Sequence, residues 1–181
     1  MNVIDTEIEG VKIIEPKVFG DARGYFFEVW SRAKFAEVGI EADFVQDNES
    51  FSTYGVLRGF HYQLPPYTQA KLVRVIEGRV LDVVVDIRKG SPTFGKSVSI
   101  ELSGENKRQL FAPRGMAHGF AVLSATAIFA YKCDNIYAPT HERSIRFNDP
   151  KLGIDWQIPP ENYLLSKKDL EGVPFEEAEY L

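Results

Sequence analysis

At 181 residues the chain falls within the usual size of one domain and can bury roughly 70% of the surface its unfolded form exposes. Its 21 basic and 26 acidic residues give a formal charge of -5, which argues against broad binding to nucleic acid or to a membrane surface, so an anionic ligand requires a local basic pocket. The single cysteine, Cys133, rules out an intrachain disulfide, Met1 to Gly10 lacks the basic-then-apolar pattern of a leader, and no apolar stretch nears the ~20 residues of a membrane helix; the expected location is the cytoplasm.

Along the chain, thirteen Phe, eight Tyr and many Val and Ile fall in short runs bounded by Gly, Pro, Asn and Asp, the pattern of short β-strands. Strands are predicted at Val11 to Glu15, Tyr25 to Val29, Phe44 to Gln46, Val56 to Gln63, Lys71 to Glu77, Val80 to Ile87, Ser97 to Leu102, Arg108 to Ala112, Gly119 to Leu123 and Thr126 to Lys132. One helix is predicted, Ser31 to Val38, with Ser31 as its cap and Gly39 as its stop. From Asp149 onward the chain is richer in proline and charge, and is expected to wrap the body with short helical turns. Internal repeats and low-complexity linkers are absent. So many strands with so few helices between them predict an all-β sandwich or jelly roll, with residues 1–181 forming one domain.

The stretch from Lys71 to Ile87 carries the sharpest pattern. Gly78-Arg79 separates two alternating runs and suits a two-residue hairpin turn with positive φ at the glycine. In that register Glu77 pairs with Val80. Leu72, Ile76, Leu81, Val83 and Val85 then share one face, and Lys71, Val73, Val75, Asp82, Val84 and Asp86 share the other. Apolar residues on both faces suit strands covered on one side and lining a cavity on the other, with Lys71 and Asp82 projecting into it. The alternative is an ordinary ion pair of Lys71 with Asp86 at the rim.

Two of the three histidines sit in strand contexts with turn signals. His61 lies shortly after Gly55, and His118 ends Pro113-Arg114-Gly115-Met116-Ala117-His118, where the turn delivers the imidazole to the start of a strand. These fragments resemble the two signature motifs of the cupin superfamily, a jelly-roll barrel with inward-pointing histidines. Metal-binding cupins place a second His two residues after the first and a Glu soon after. This chain has Gln63 there, then Tyr67 and Thr68, a poor set of donors for a transition metal. No metal site is expected. A lone barrel histidine is most often a satisfied core residue. Around His61, however, Arg58, Lys71 and Arg74 place cations within core-type strands, where charge needs a polar cavity or an anionic ligand.

From end to end the chain resembles the dTDP-4-dehydrorhamnose 3,5-epimerases of bacterial dTDP-rhamnose synthesis. The likeness runs through Asp21 to Glu28, Phe44 to Asn48, Arg58 to Gln63, Pro113 to Phe120, Tyr131-Lys132-Cys133, Phe147 to Pro150, Gly153 to Trp156 and Leu165 to Asp169. The chain departs from it at Ala70, in a common glycine position, and at Phe147, in a common tryptophan position. The resemblance implies a cupin-type jelly-roll barrel with short peripheral helices. It implies that His61 is a general base held by Asp169, that Tyr131 is the acid on the opposite face of the sugar, and that Lys71 polarises the ketone. It gives Arg23, Glu28, Gln46, Asp47, Asn48, Arg58, Glu142 and Lys168 to the nucleotide and its phosphates, Tyr137 to stacking on the base, and His118 to the sugar and diphosphate. It also implies a homodimer with strand exchange near the N-terminus, so that a site can take residues from a partner chain.

The implied chemistry suits these side chains. Hydrogens flanking a 4-keto group are weakly acidic because the carbanion delocalises onto the carbonyl oxygen. An imidazole, with an unperturbed pKa of about 6.5, suits proton abstraction near neutrality, and a phenol near 10 stays available as donor. A cation at the developing oxyanion supplies the electrostatic contribution. No electron sink is required, and no G-x-G-x-x-G motif is present, so no cofactor is expected. Three other readings stay open: an epimerase acting at carbon 3 or carbon 5 alone, a cupin-type 4-keto to 3-keto isomerase, and a non-catalytic sugar-nucleotide-binding cupin.

Overall fold

The computed structural model describes residues 1–180, in which apolar alternation and frequent glycine turns give strands throughout. In chain order the elements are β1 (Asn2–Asp5), β2 (Lys12–Glu15), β3 (Phe19–Asp21), β4 (Gly24–Phe26), α1 (Arg32–Ala36), β5 (Gln46–Thr53), β6 (Leu57–Gln63), β7 (Lys71–Glu77), β8 (Arg79–Asp86), β9 (Ser97–Ser103), β10 (Gln109–Ala112), β11 (Met116–Val122), β12 (Thr126–Cys133), β13 (Glu142–Ser144) and α2 (Lys167–Leu170). One sheet has the order β1-β2-β10-β7-β12-β5, a second β13-β6-β11-β8-β9, and β3 pairs with β4 in a separate ribbon. Facing each other, β5-β12-β7-β10 and β6-β11-β8-β9 form the double Greek key of a jelly roll. The two sheets stay separate ladders rather than closing into one hydrogen-bonded cylinder.

Three apolar layers hold the sheets in place. Between them, Val73, Val75, Val80, Val84, Leu102, Leu110 and Phe129 are buried together. The outer face of β8, with Leu81, Val83 and Val85, packs against Trp156, Ile158 and Phe175 from the C-terminal segment. On the other side Ile14, Leu72 and Phe111 pack against Phe35 of α1 and Ile40. Removing each such side chain from water contributes about 1.5–3 kcal/mol. The apolar residues on both faces of β7 and β8 therefore reflect cover on both sides of each sheet. On the β8 side the C-terminal segment, with its short helical turns, supplies that cover, as its composition predicts.

The hairpin predicted at Gly78-Arg79 does not form. β7 lies between β10 and β12, whereas β8 lies between β11 and β9 in the other sheet. Glu77 pairs with Ile128, and Val80 pairs with Leu102 and Val122. A glycine turn between alternating strands is the same local signal for a hairpin and for a corner between sheets, and only long-range pairing separates them. The assignment of faces survives, because the pleat belongs to each strand: Val73, Val75 and Val84 face the interior and Leu81, Val83 and Val85 face outward. The rim ion pair of Lys71 with Asp86 is absent. Asp86 instead accepts from Arg88, Ser91 and Thr93.

Other boundaries shift. The strand predicted over Phe44 to Gln46 begins only at Gln46 and runs on to Thr53, and that predicted over Tyr25 to Val29 stops at Phe26. The helix spans Arg32–Ala36, with Ser31 at the cap position making no side-chain cap bond and Gly39 at φ +80° beyond its end.

Gly78 has φ +80°, and a Cβ there would lie 2.1 Å from the Thr126 carbonyl oxygen. Gly78→Ala is expected to cost at least about 2 kcal/mol and to lower the melting temperature by roughly 4–8 °C. Thermal unfolding followed by circular dichroism checks this, and an unchanged midpoint would contradict the corner geometry.

Candidate active site

A cavity of about 400 Å³ opens between the sheets at one end of the jelly roll. Strand alternation assigns its walls. β7 turns Lys71 inward, β12 turns Tyr131 and Cys133, and β5 turns Gln46, Asn48 and Ser50. Opposite them, β6 contributes Arg58 and His61, and β11 contributes His118. Further along the same strands the inward residues become Val75, Phe120, Phe129 and Val122. The polar chamber therefore has an apolar floor.

Arg58 and His61 are three positions apart, so regular pleating would send them to opposite faces. A bulge removes the conflict. The ladder between β6 and β11 shifts register between His118 and Phe120, across from Gly59. Gly59 has φ +143°, and a Cβ there would lie 2.6 Å from the Gly119 Cα. Glycine at both positions lets the strands approach and turns Arg58 and His61 toward the same chamber.

His61 Nε2 lies 2.8 Å from Asp169 Oδ1. The same oxygen accepts the Gly59 N–H at 3.1 Å, and Oδ2 accepts the Ser166 N–H at 3.1 Å and the Ser166 hydroxyl at 2.5 Å. Burial raises the carboxyl's affinity for a proton, but these bonds outweigh it and hold the Asp169 pKa down at about 2. An ionised Asp169 can only accept, so Nε2 carries the hydrogen of that pair. Nδ1 then keeps its lone pair. It has no hydrogen-bond partner among the described residues and lies 3.9 Å from Glu142 Oε1. An imidazole held this way has the fixed tautomer and orientation that general-base chemistry requires.

The facing sheet presents groups of complementary character. Burial, reinforced by the neighbouring Cys133 and opposed by Arg58, pushes the Tyr131 phenol above its usual range, so it stays protonated at neutral pH. Burial pulls the Lys71 ammonium below its usual range, and the carboxylates of Glu142 and Asp82 oppose that pull. Lys71 Nζ lies 6.0 Å from the centre of the Tyr131 ring. The phenol and the ammonium thus enter from one sheet and the imidazole from the other.

At the mouth, Glu142 Oε2 accepts the Tyr137 hydroxyl at 2.7 Å and pairs with Lys168, whose ammonium also lies 5.8 Å from the Tyr137 ring centre. Burial raises the Glu142 carboxyl and these two partners lower it further, so it stays ionised. His118 is buried, with Nε2 2.9 Å from Asp82 Oδ2. Asp82 is fully buried and its Oδ1 has no partner among the described residues. Gln63, standing where metal-binding cupins have their second histidine, spends its amide on the carbonyls of Tyr67 and Ile136 and on the N–H of Ala138. It ties two loops together, which leaves that position without a free donor atom.

Of the residues expected in the site, His61, Lys71, Tyr131, Asp169, Gln46, Asn48, Arg58, His118, Tyr137, Glu142 and Lys168 line this cavity. Arg23, Glu28 and Asp47 do not. Arg23 lies between β3 and β4, largely exposed and paired with Asp21, and Glu28 pairs with Lys34 at 2.9 Å. Asp47 is turned outward between Gln46 and Asn48 by the pleat and bonds Lys132 at 2.6 Å. Asp82, expected to project into the cavity beside Lys71, is not among its lining residues and is instead the buried partner of His118. One residue escaped the sequence reading of the site, Ser166, a partner of Asp169; the Ser166-x-x-Asp169 spacing of a capping box was the available signal for it.

The double Greek key and its histidine-bearing cavity place the protein in the cupin class of jelly rolls, here with a chamber equipped for proton transfer. A family model for dTDP-4-dehydrorhamnose 3,5-epimerase matches residues 5–177. The chain is 58% identical over 181 residues to the dTDP-4-dehydrorhamnose 3,5-epimerase of Shigella flexneri, covering 99% of both. The crystal structure of dTDP-4-dehydrorhamnose 3,5-epimerase from Elizabethkingia anophelis NUHP1 is 52% identical, with a TM-score of 0.95 and 99% of each chain covered. That of dTDP-6-deoxy-D-glucose-3,5-epimerase from Legionella pneumophila Philadelphia 1, solved with dTDP-4-keto-L-rhamnose, is 53% identical with a TM-score of 0.95, covering 98% of this chain and 94% of that one. The chain belongs to the dTDP-4-dehydrorhamnose 3,5-epimerase family.

Asp169 makes acid stability informative. Its folded pKa of about 2 lies below the ordinary 3.8, so its contribution is complete above pH 4 and is lost as pH falls through 2. At neutral pH, Asp169→Asn is expected to be less stable than the parent by on the order of 2 kcal/mol. Urea denaturation should show the gap narrowing between about pH 4 and pH 2. A gap independent of pH would mean that Asp169 is not held ionised by its neighbours.

Proposed function

We propose that the protein inverts carbons 3 and 5 of dTDP-4-dehydro-6-deoxy-D-glucose, giving dTDP-4-dehydro-L-rhamnose for dTDP-L-rhamnose synthesis. The observation that carries this reading is the unpartnered Nδ1 of His61, on a ring fixed by Asp169, in a chamber that Tyr131 and Lys71 enter from the opposite sheet. Nδ1 takes the proton from a carbon beside the ketone. Charge moves onto the ketone oxygen, where the Lys71 ammonium stabilises it. Tyr131 returns a proton to the other face of the carbon. Exchange with solvent then discharges the imidazolium and reprotonates the phenolate, so the same pair serves the second carbon.

Arg58 and Lys168 are the cations available to a diphosphate, Tyr137 is the exposed ring available to a base, and Gln46, Asn48 and Glu142 supply polar contacts between them. The family match over residues 5–177 supports reading the chain as one functional domain, and a cytoplasmic setting fits a nucleotide-sugar substrate. The β3–β4 ribbon exposes Phe19, Tyr25 and Phe26 at 54%, 60% and 70% around Arg23. Apolar rings projecting on a detached ribbon suit insertion into a second copy. We read the protein as a homodimer in which Arg23 and Glu28 serve the partner's cavity.

Base and acid should fail differently in deuterium oxide with dTDP-4-dehydro-6-deoxy-D-glucose as substrate. His61→Ala is expected to lose ~10² to 10⁴ in exchange at both carbons. Tyr131→Phe should keep exchange while inversion falls, because abstraction survives and reprotonation does not. NMR locates the deuterium. Label at only one carbon in the parent protein would reject the two-carbon reading, and normal inversion by Tyr131→Phe would reject Tyr131 as the acid.

The dimer has its own test. Sedimentation is expected to give twice the chain mass, and Arg23→Ala should weaken thermal protection by dTDP without changing folding. A monomer, or undiminished protection, would exclude the shared site.

A further inference from the structure

We propose that Ser166 is a positioning residue of the reaction, whose hydroxyl locks the Asp169 carboxylate in the plane that fixes the His61 imidazole. The inference rests on the epimerase reading above and goes beyond it by placing a third side chain behind the base.

Ser166 stands at the N-cap of α2 with extended backbone, φ -76° and ψ 164°. Its Oγ accepts the Asp169 N–H at 3.3 Å while its hydroxyl donates to Asp169 Oδ2 at 2.5 Å. Together with the bond from the Ser166 N–H, this completes a reciprocal capping box. Such a box ordinarily serves the helix end alone. Here α2 is only one turn long, and the carboxylate that closes the box is the buried one that receives His61. Four donors fill its two oxygens: His61 Nε2 and the Gly59 N–H on Oδ1, and the Ser166 N–H and hydroxyl on Oδ2.

The arrangement has a chemical consequence. When Nδ1 takes a proton from the sugar, the ring becomes an imidazolium, and Asp169 must stay ionised to stabilise it. A carboxylate whose far oxygen already accepts a short charge-assisted bond from a hydroxyl is a weaker base toward Nε2 and cannot swing away from the ring. Two of the four donors are backbone groups. Apart from His61 itself, the Ser166 hydroxyl is the only side-chain donor in the set. It also lines the cavity, so its removal reaches the chemistry without disturbing a core layer.

α2 carries Lys168 at the ligand's mouth as well as Asp169 behind the base. A defect that merely loosens this turn moves both, and so changes KM together with kcat. Loss of the hydroxyl's hold on Asp169 alone changes kcat and leaves KM in place. Threonine and glycine are nearly equal as N-caps, but only threonine keeps the hydroxyl. Ser166→Thr and Ser166→Gly therefore separate the hydroxyl from the cap.

The experiment compares kcat, KM and thermal midpoint for the parent, Ser166→Thr and Ser166→Gly with dTDP-4-dehydro-6-deoxy-D-glucose. Ser166→Gly is expected to lose on the order of tenfold in kcat, the scale of one charge-assisted hydrogen bond, with KM within about twofold. Ser166→Thr should stay close to the parent in both constants. Equal kcat for the two variants, or a loss shared between kcat and KM in Ser166→Gly, would overturn the positioning role while leaving the epimerase reading intact. A parent protein that neither exchanges nor inverts this substrate would overturn the functional reading, and this inference with it.

Discussion

Asp169 is the tie on which the rest of the site depends. Its side chain joins residues 108 and 110 positions away in the chain, His61 and the Gly59 N–H, and fastens the C-terminal segment to β6. Contacts of such long range cost loop-closure entropy before they return anything. The return comes from a carboxylate that is almost fully buried and completely bonded, since a buried charge missing any of its partners is strongly unfavourable. The same bonds that keep the charge tolerable also keep the imidazole in one orientation. The anchoring of the C-terminal segment and the orientation of the imidazole are one interaction.

The two sheets divide the remaining work. His61, Asp169 and Glu142 come from the five-stranded sheet and the segment behind it, whereas Lys71, Tyr131 and the polar face of β5 come from the six-stranded sheet. Between them the apolar floor of Val75, Phe120 and Phe129 fixes the spacing. Phe120 and Phe129, one from each sheet, stack with ring centres 4.2 Å apart and planes within 14°. This stacked pair joins the two sheets directly across the interior. The side chains that line the cavity are thus presented from two packed sheets that face each other.

What could be read from the sequence divides along physical lines. Strands with an apolar face were legible because burial leaves a period-two trace, and β6 to β12 were placed within a few residues on that signal. β5 was misplaced because its inward residues, Gln46, Asn48 and Ser50, face a polar chamber and its outward ones face solvent. No apolar alternation marks it. The corner at Gly78 was read as a hairpin because local turn chemistry is blind to which sheet receives the next strand. In the site, the run Gln46-Asp47-Asn48 could not all face inward on a pleated strand, and Asp47 is the one turned out. Arg58 and His61 would have failed the same parity test, and they meet only because a bulge at Gly59 resets the pleat. Arg23 and Glu28 lie outside the chain's own cavity, and no pattern local to their sequence could say so.

Gln63 carries a consequence for how this jelly roll can be retooled. Its amide is the knot between the loop at Tyr67 and the loop at Ile136 and Ala138, and Tyr137, the ring at the cavity mouth, sits between those last two residues. Exchanging the carboxamide for an imidazole to recreate the cupin metal position would undo that knot in the same stroke. A new donor atom at position 63 and a loosened Tyr137 loop would thus arrive as a single event.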